Sequence, residues 1–127
     1  VGKGDGAFFR KALAAPSGLN PYPIAGKIEP KVVEVSGKWS VNDGGRNIEA
    51  YSLDNPHAQG YLIPYVPDVK VGFVTDLWNP GPMVQTPANP GMVAVVRGVE
   101  KMGIAPEKFA GGHGGVGNYA DLVKAAQ

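Results

Sequence analysis

The chain has 127 residues, 43% of them apolar and 18% charged, the balance of one soluble globular domain and not of a disordered segment. Twelve basic residues stand against eleven acidic ones for a net charge of +1, without any cluster of Lys and Arg, so neither nucleic acid nor a membrane is expected as a partner. There is no Cys, which removes disulfide and thiol chemistry and leaves the compartment open between cytoplasm and periplasm, and no apolar run nears the roughly 20 residues that span a bilayer.

Ala7 to Ala15 reads as a short helix with Phe8, Phe9, Ala12 and Leu13 on its apolar side, stopped by Pro16 and Gly18. Pro16, Pro21, Pro23 and Pro30 predict an irregular crossing. Val32, Val33 and Val35 form a strand candidate, and Gly37 to Val41 leads into Asn42-Asp43-Gly44-Gly45, a turn that reaches positive φ cheaply. The strand from Arg46 to Leu53 alternates, with Ile48 and Ala50 on one face and Asn47, Glu49 and Tyr51 on the other. Gly60 to Val66 and Val69 to Thr75 are further strands joined by Pro67-Asp68. Pro64 lacks a ladder donor and should sit at an edge or face its missing N–H away from a neighbour.

Leu77 to Ala88 is a proline-rich loop. Asn89 and Pro90 then read as N-cap and first residue of a helix that repeats Met92, Val95, Val96, Val99 and Met102 at helical spacing and ends at Gly103. Phe109 and Ala110 lead into a glycine turn, and Asn118 caps a last helix with Tyr119, Leu122, Val123 and Ala126 on one face. With no repeat and no second hydrophobic unit, residues 1–127 form a single domain unit.

The chain has two histidines, His57 in Asn55-Pro56-His57-Ala58 and His113 in Gly111-Gly112-His113-Gly114. Between them Asp76 closes the apolar run Val71 to Thr75, where a strand would deliver its carboxylate. A hydrolytic zinc site takes three or more protein ligands and keeps a position open for water. Neither histidine has a chelating neighbour and no His-Glu-x-x-His helix occurs, so any ligands must converge through the fold or come from elsewhere. The plainer alternatives are a loop histidine bound to backbone at His57, a turn-capping aspartate at Asp76 and an ordinary glycine turn at His113.

Five segments carry a family resemblance: Ile48-Glu49-Ala50-Tyr51, Asn55-Pro56-His57-Ala58, Leu62-Ile63-Pro64-Tyr65-Val66-Pro67, Val74-Thr75-Asp76-Leu77-Trp78 and Gly111-Gly112-His113-Gly114. In this order and spacing, Arg46 to Ala125 resembles the C-terminal half of a metallo-β-lactamase-fold hydrolase, and Ala7 to Pro21 resembles the helix and loop after that family's first metal motif. The resemblance implies an α/β fold, the C-terminal half of an αββα sandwich with a mixed sheet flanked by helices. It implies His57 as the isolated histidine of one metal site, Asp76 as the bridging carboxylate and His113 as the last histidine of the other. The metals would be a pair of zinc or other divalent ions that activates water in the complete protein.

The family's His-x-His-x-Asp-His motif is absent and is expected upstream of Val1. The chain therefore reads as a fragment of a metal-dependent hydrolase, inactive and weakly metal-binding alone. No residue is assigned as catalytic acid or base. Trp78 and Tyr22 are candidates for a substrate pocket, weighed against a core role for the aromatic residues. Thr75, Ala58 and Pro64 depart from common family choices, and the small-molecule substrate stays open. Expected partners are the N-terminal half or a second copy in a homo-oligomer, because a sheet covered on one face leaves apolar surface in water. The competing reading is a non-catalytic binding or structural half-domain that associates through that face.

Overall fold

The computed structural model describes residues 1–15, 31–81 and 86–127. The whole proline-rich crossing from Pro16 to Pro30, with Asn20 and Tyr22 in it, lies outside the described residues. Within them, Asn42-Asp43-Gly44-Gly45 closes a hairpin between β1 (Lys38–Asp43) and β2 (Arg46–Ser52), with Asp43 opposite Arg46 and Gly44 and Gly45 at φ 60° and 92°. Two successive positive φ values match the right-handed twist of the flanking strands, and glycine reaches them without steric cost. Asn42 secures the turn by donating to Asn47 Oδ1 (2.8 Å) and accepting from Gly45 N (3.2 Å).

β3 (Leu62–Val66) and β4 (Val71–Val74) continue the sheet antiparallel, and β5 (Lys108–Gly111) pairs parallel to β4 before β6 (Val116–Asn118) returns antiparallel. Pro64 is not at an edge, since β3 lies between β2 and β4. The β2 ladder runs past it at Ala50, whereas the β4 ladder stops at Tyr65 opposite Gly72, the residue beside it. The missing donor thus falls where pairing has already ended. β4 starts two residues later than expected because Val69 and Lys70 form the turn: Lys70 has φ 52° and donates to Pro67 O at 3.2 Å.

Val32 to Val35 is not a strand, which corrects the sequence expectation. Only Val35 makes a bridge, parallel to Gly2, with Val35 N donating to Val1 O (2.8 Å) and Lys3 N to Val35 O (3.0 Å). Gly37 at φ 88° separates this contact from the true first strand at Lys38–Asp43. The first helix, α1 (Gly6–Ala14), hangs from the same contact: Gly4 N donates to the Glu34 carboxylate at 2.8 Å, and a Cβ at Gly6 would overlap the Glu34 side chain. Phe8 (69% exposed) and Phe9 pack edge to face on each other with ring centroids 5.4 Å apart and are not buried.

α2 (Pro90–Met102) forms as its local signals dictate. The Asn89 side chain accepts from Gly91 N (2.8 Å), Pro90 occupies the first turn and Gly103 ends the helix in the left-handed region at φ 65°. Met92, Val95 and Val99 recur every three or four residues and are buried against the sheet, where each contributes roughly 1.5–3 kcal/mol. α3 (Tyr119–Ala125) adds Leu122 to the same core. The sheet supplies Ile63, Val74 and Phe109, and Gly72 is small because the Phe109 ring occupies the space of its missing Cβ.

The sheet's second face is different. Trp39, Val41, Ile48, Phe73 and Val116 are exposed there, and no helix among the described residues packs on it. Register decides the sides: Tyr51 stands opposite Ile63 and is buried beneath the helices, while Ile48, opposite Val41, points to the open face.

Candidate metal centre

The site lies on one rim of the sheet, where β3 begins and the parallel strands β4 and β5 end. Before β3, Asn55 ties the loop into a compact turn: its Oδ1 accepts from His57 N (2.9 Å) and Ala58 N (3.0 Å), and its Nδ2 donates to Leu53 O and Ala58 O, both at 3.0 Å. An asparagine closing on backbone two and three residues ahead is a strong local turn former. Pro56 further restricts the segment, so the half-exposed His57 imidazole is carried on a short, braced loop.

After β4 the chain turns sharply at Asp76. Its φ is 61° and Leu77 N donates across it to Thr75 O at 2.6 Å, which defines the rare, strained γ-turn with positive φ at its centre. Such strain persists only where the surroundings hold it. Here Tyr61 does so: its hydroxyl donates to Thr75 O (2.6 Å) and accepts from Thr75 N (2.8 Å). Burial pushes the Tyr61 hydroxyl up from its ordinary value, with the Asp76 charge adding to this, so the group stays protonated and able to donate. Thr75 Oγ1 donates to Asp76 Oδ2 at 3.1 Å and orients the carboxylate.

His113 comes from the glycine turn after β5. A Cβ at Gly112 would overlap Thr75, one at Gly111 would overlap Pro80 and the His113 carbonyl, and Gly114 sits at φ 86° against Pro80 O. Glycines therefore let this turn press directly onto the Thr75–Pro80 segment, and Gly112 N donates to Val74 O (2.8 Å) and Gly115 N to Pro80 O (2.9 Å).

His113 Nε2 lies 3.0 Å from Asp76 Oδ1, and His57 Nε2 lies 3.6 Å from Asp76 Oδ2. The three residues singled out in the sequence are thus brought together, each imidazole facing a different oxygen of one carboxylate. Among the described residues no group of three or more His, Cys, Asp or Glu side chains forms a metal-holding cluster. Either carboxylate oxygen has only one imidazole beside it, two donors where a zinc site takes at least three. The donor chemistry suits divalent zinc-type ions, and the number of donors leaves each position open.

Trp78 is 5% exposed and belongs to the core, with its ring filling the space a Cβ at Gly117 would need. It offers no free pocket surface, and of the roles weighed for it burial fits the core role. Tyr65 is likewise core. The Tyr61 brace and the γ-turn were not read from the sequence: no local pattern signals a contact between residues 14 apart in the chain.

No protein-family model matches the chain and no curated protein matches it. Solved structures do. A metallo-β-lactamase from Pontibacter korlensis superposes with a TM-score of 0.56 at 16% identity, over 73% of this chain and 46% of that one. An archaeal metallo-β-lactamase superfamily protein from Sulfolobus tokodaii gives 0.55 at 21%, over 76% and 38%, and rubredoxin oxygen:oxidoreductase from the anaerobe Desulfovibrio gigas gives 0.57 at 17%, over 84% and 32%. The chain has the α/β fold of part of these metallo-β-lactamase superfamily structures. It spans less than half the length of each.

Proposed function

We propose that this chain carries the carboxylate bridge and one histidine for each of two divalent metal positions in a metal-dependent hydrolase of the metallo-β-lactamase fold. One observation supports this above the rest: His113 and His57 approach opposite oxygens of Asp76, at 3.0 and 3.6 Å. A carboxylate shared by two ions would have an imidazole beside each of its oxygens, the arrangement His57 and His113 make around Asp76.

The residues that would hold the ions are His57 and Asp76 Oδ2 on one side, His113 and Asp76 Oδ1 on the other. A bound pair of zinc-type ions would supply a hydroxide at neutral pH by lowering the pKa of water to about 7. The chain's own contribution is orientation. Asn55 braces the His57 loop, Tyr61 holds the Thr75–Asp76 turn, Thr75 Oγ1 fixes the carboxylate plane and the glycines seat His113. Hydrogen bonding of this kind around ligands sets their geometry and is worth about 10- to 100-fold in metal affinity. With two donors per position the isolated chain should hold zinc weakly and turn over little, and further ligands would be contributed by the other half of the sandwich. The substrate of the complete protein is a small molecule.

Zinc titration by calorimetry tests the reading, alongside Asp76→Asn, His57→Ala and His113→Ala. Weak binding that each variant reduces further, and activity appearing only when the chain is joined to the half bearing His-x-His-x-Asp-His, is the expected result. Zinc affinity untouched by all three substitutions would overturn it.

A second reading, a non-catalytic half-domain that associates with another chain or with its own copy, is supported by the open sheet face. Phe73 and Val116 are 42% and 65% exposed on the same face as Val41 and Ile48. Self-association in light scattering, abolished by Phe73→Glu, together with no zinc binding at all, would favour it.

A further inference from the structure

Behind the His57 loop, whose Asn55 and Pro56 form part of its wall, a cavity of about 810 Å³ opens between α2 and the β1–β2 end of the sheet. That volume is in the range of small-molecule sites, which are mostly apolar with a few placed polar groups. Its walls have this character. Tyr51 and Leu53 from the sheet and Val93, Ala94, Gly98 and Met102 from α2 line it. Gly98 lets the helix close on Leu53, whose side chain fills the space of the missing Cβ.

The charged groups are asymmetric. Lys38 lines the cavity, but its ammonium donates to Glu49 at 2.7 Å and lies 5.2 Å from the Tyr51 ring centroid, so its charge is already answered. Arg97 and Lys101, one helical turn apart on α2, also line the cavity, and among the described residues neither makes an ion pair. Asp54 is the acidic residue on the wall and pairs with neither. Two cations that pair with no described residue, over an apolar floor, are complementary to one kind of ligand.

We propose that this cavity binds an amphipathic organic anion, its apolar body against Leu53, Val93 and Met102 and its carboxylate between Arg97 and Lys101. The cavity borders the His57 loop at Asn55 and Pro56, but its charged pair, Arg97 and Lys101, belongs to α2, and the proposal does not depend on any metal reading. Guanidinium and ammonium groups bind carboxylate through charge-assisted hydrogen bonds, roughly twice as strong as neutral ones. The head group should therefore contribute as much to recognition as the tail.

Sodium octanoate is the probe, titrated into the full chain labelled with 13C-methyl methionine. Saturable movement of the Met102 methyl signal is expected, with octan-1-ol binding at least about tenfold more weakly because it lacks the charge. Arg97→Gln with Lys101→Gln should weaken octanoate about tenfold or more and leave octan-1-ol unchanged. Should the double variant fold poorly, Lys101→Gln alone alters one exposed side chain and should still weaken octanoate selectively. Equal binding of acid and alcohol, unaltered octanoate affinity in the folded variants, or a Met102 signal that does not move would each overturn the proposal.

Discussion

Replacing Tyr61 by Phe removes one oxygen and tests whether the strained Asp76 turn is held from outside. The hydroxyl both donates to Thr75 O (2.6 Å) and accepts from Thr75 N (2.8 Å). The two losses are unequal, because Thr75 O keeps the bond from Leu77 N at 2.6 Å whereas among the described residues Thr75 N has no second acceptor. A net hydrogen bond is worth about 0.5–1.5 kcal/mol and an orphaned donor costs about 1–3 kcal/mol, less where water can reach it. Thr75 is half-buried, so the expected loss is about 1.5 kcal/mol. Urea unfolding should show a lower midpoint at unchanged m-value. Amide exchange at Thr75 should quicken roughly tenfold, the factor that about 1.4 kcal/mol represents. A stability change under about 0.5 kcal/mol with unchanged Thr75 exchange would show that the turn holds itself.

Asp76→Gly should unfold no earlier than the parent, because glycine takes φ near 61° without steric cost, while zinc binding falls; the comparison of melting temperature with zinc calorimetry checks it, and clear destabilisation would count against strain at this residue. Phe109→Ala, at a fully buried position that also packs on Gly72, should cost about 3–5 kcal/mol in denaturant unfolding. The Lys38 and Tyr51 hydrogen bonds, in that order, hold the Glu49 carboxyl below its ordinary value. A depressed carboxyl contributes stability above its unfolded pKa and loses it as pH falls through the lower folded one. The parent's stability advantage over Glu49→Gln should therefore be present at neutral pH and disappear below the ordinary carboxylate range. Gly112→Ala should displace the His113 turn, since its Cβ would overlap Thr75, and a zinc titration should show weaker binding than the parent.

Much of the framework is written locally. Asn89, Pro90 and Gly103 mark the ends of α2 because a cap acceptor, a missing N–H and a left-handed residue act within one turn of helix. Asn42-Asp43-Gly44-Gly45 specifies its hairpin for the same reason, and alternation marks the strand after it, Arg46–Ser52; β6 (Val116–Asn118), among glycines, is not foreseen from it. Local preference went astray at Val32 to Val35: three valines favour extended backbone, but a strand also needs a partner, and only Val35 finds one, at Gly2.

The candidate site divides along the same line. His57, Asp76 and His113 could be singled out because their residue types and flanking motifs resemble a known family, and Asn55's side chain closes a turn over the two residues beyond Pro56. Their meeting could not be read from any window of sequence. It follows from β5 pairing parallel to β4 after the α2 crossover, which brings the ends of both strands, and with them Asp76 and His113, to one rim, while antiparallel β3 starts from that rim beside His57. Which face of β2 is buried was likewise settled by where α2 and α3 pack, so that Tyr51 is covered and Ile48 is not. Capping, turn and strand preferences are short-range energies that a few neighbouring residues determine; the side of a sheet that is covered, and the residues that share an end of it, depend on contacts between distant segments, which exist only once the chain has packed.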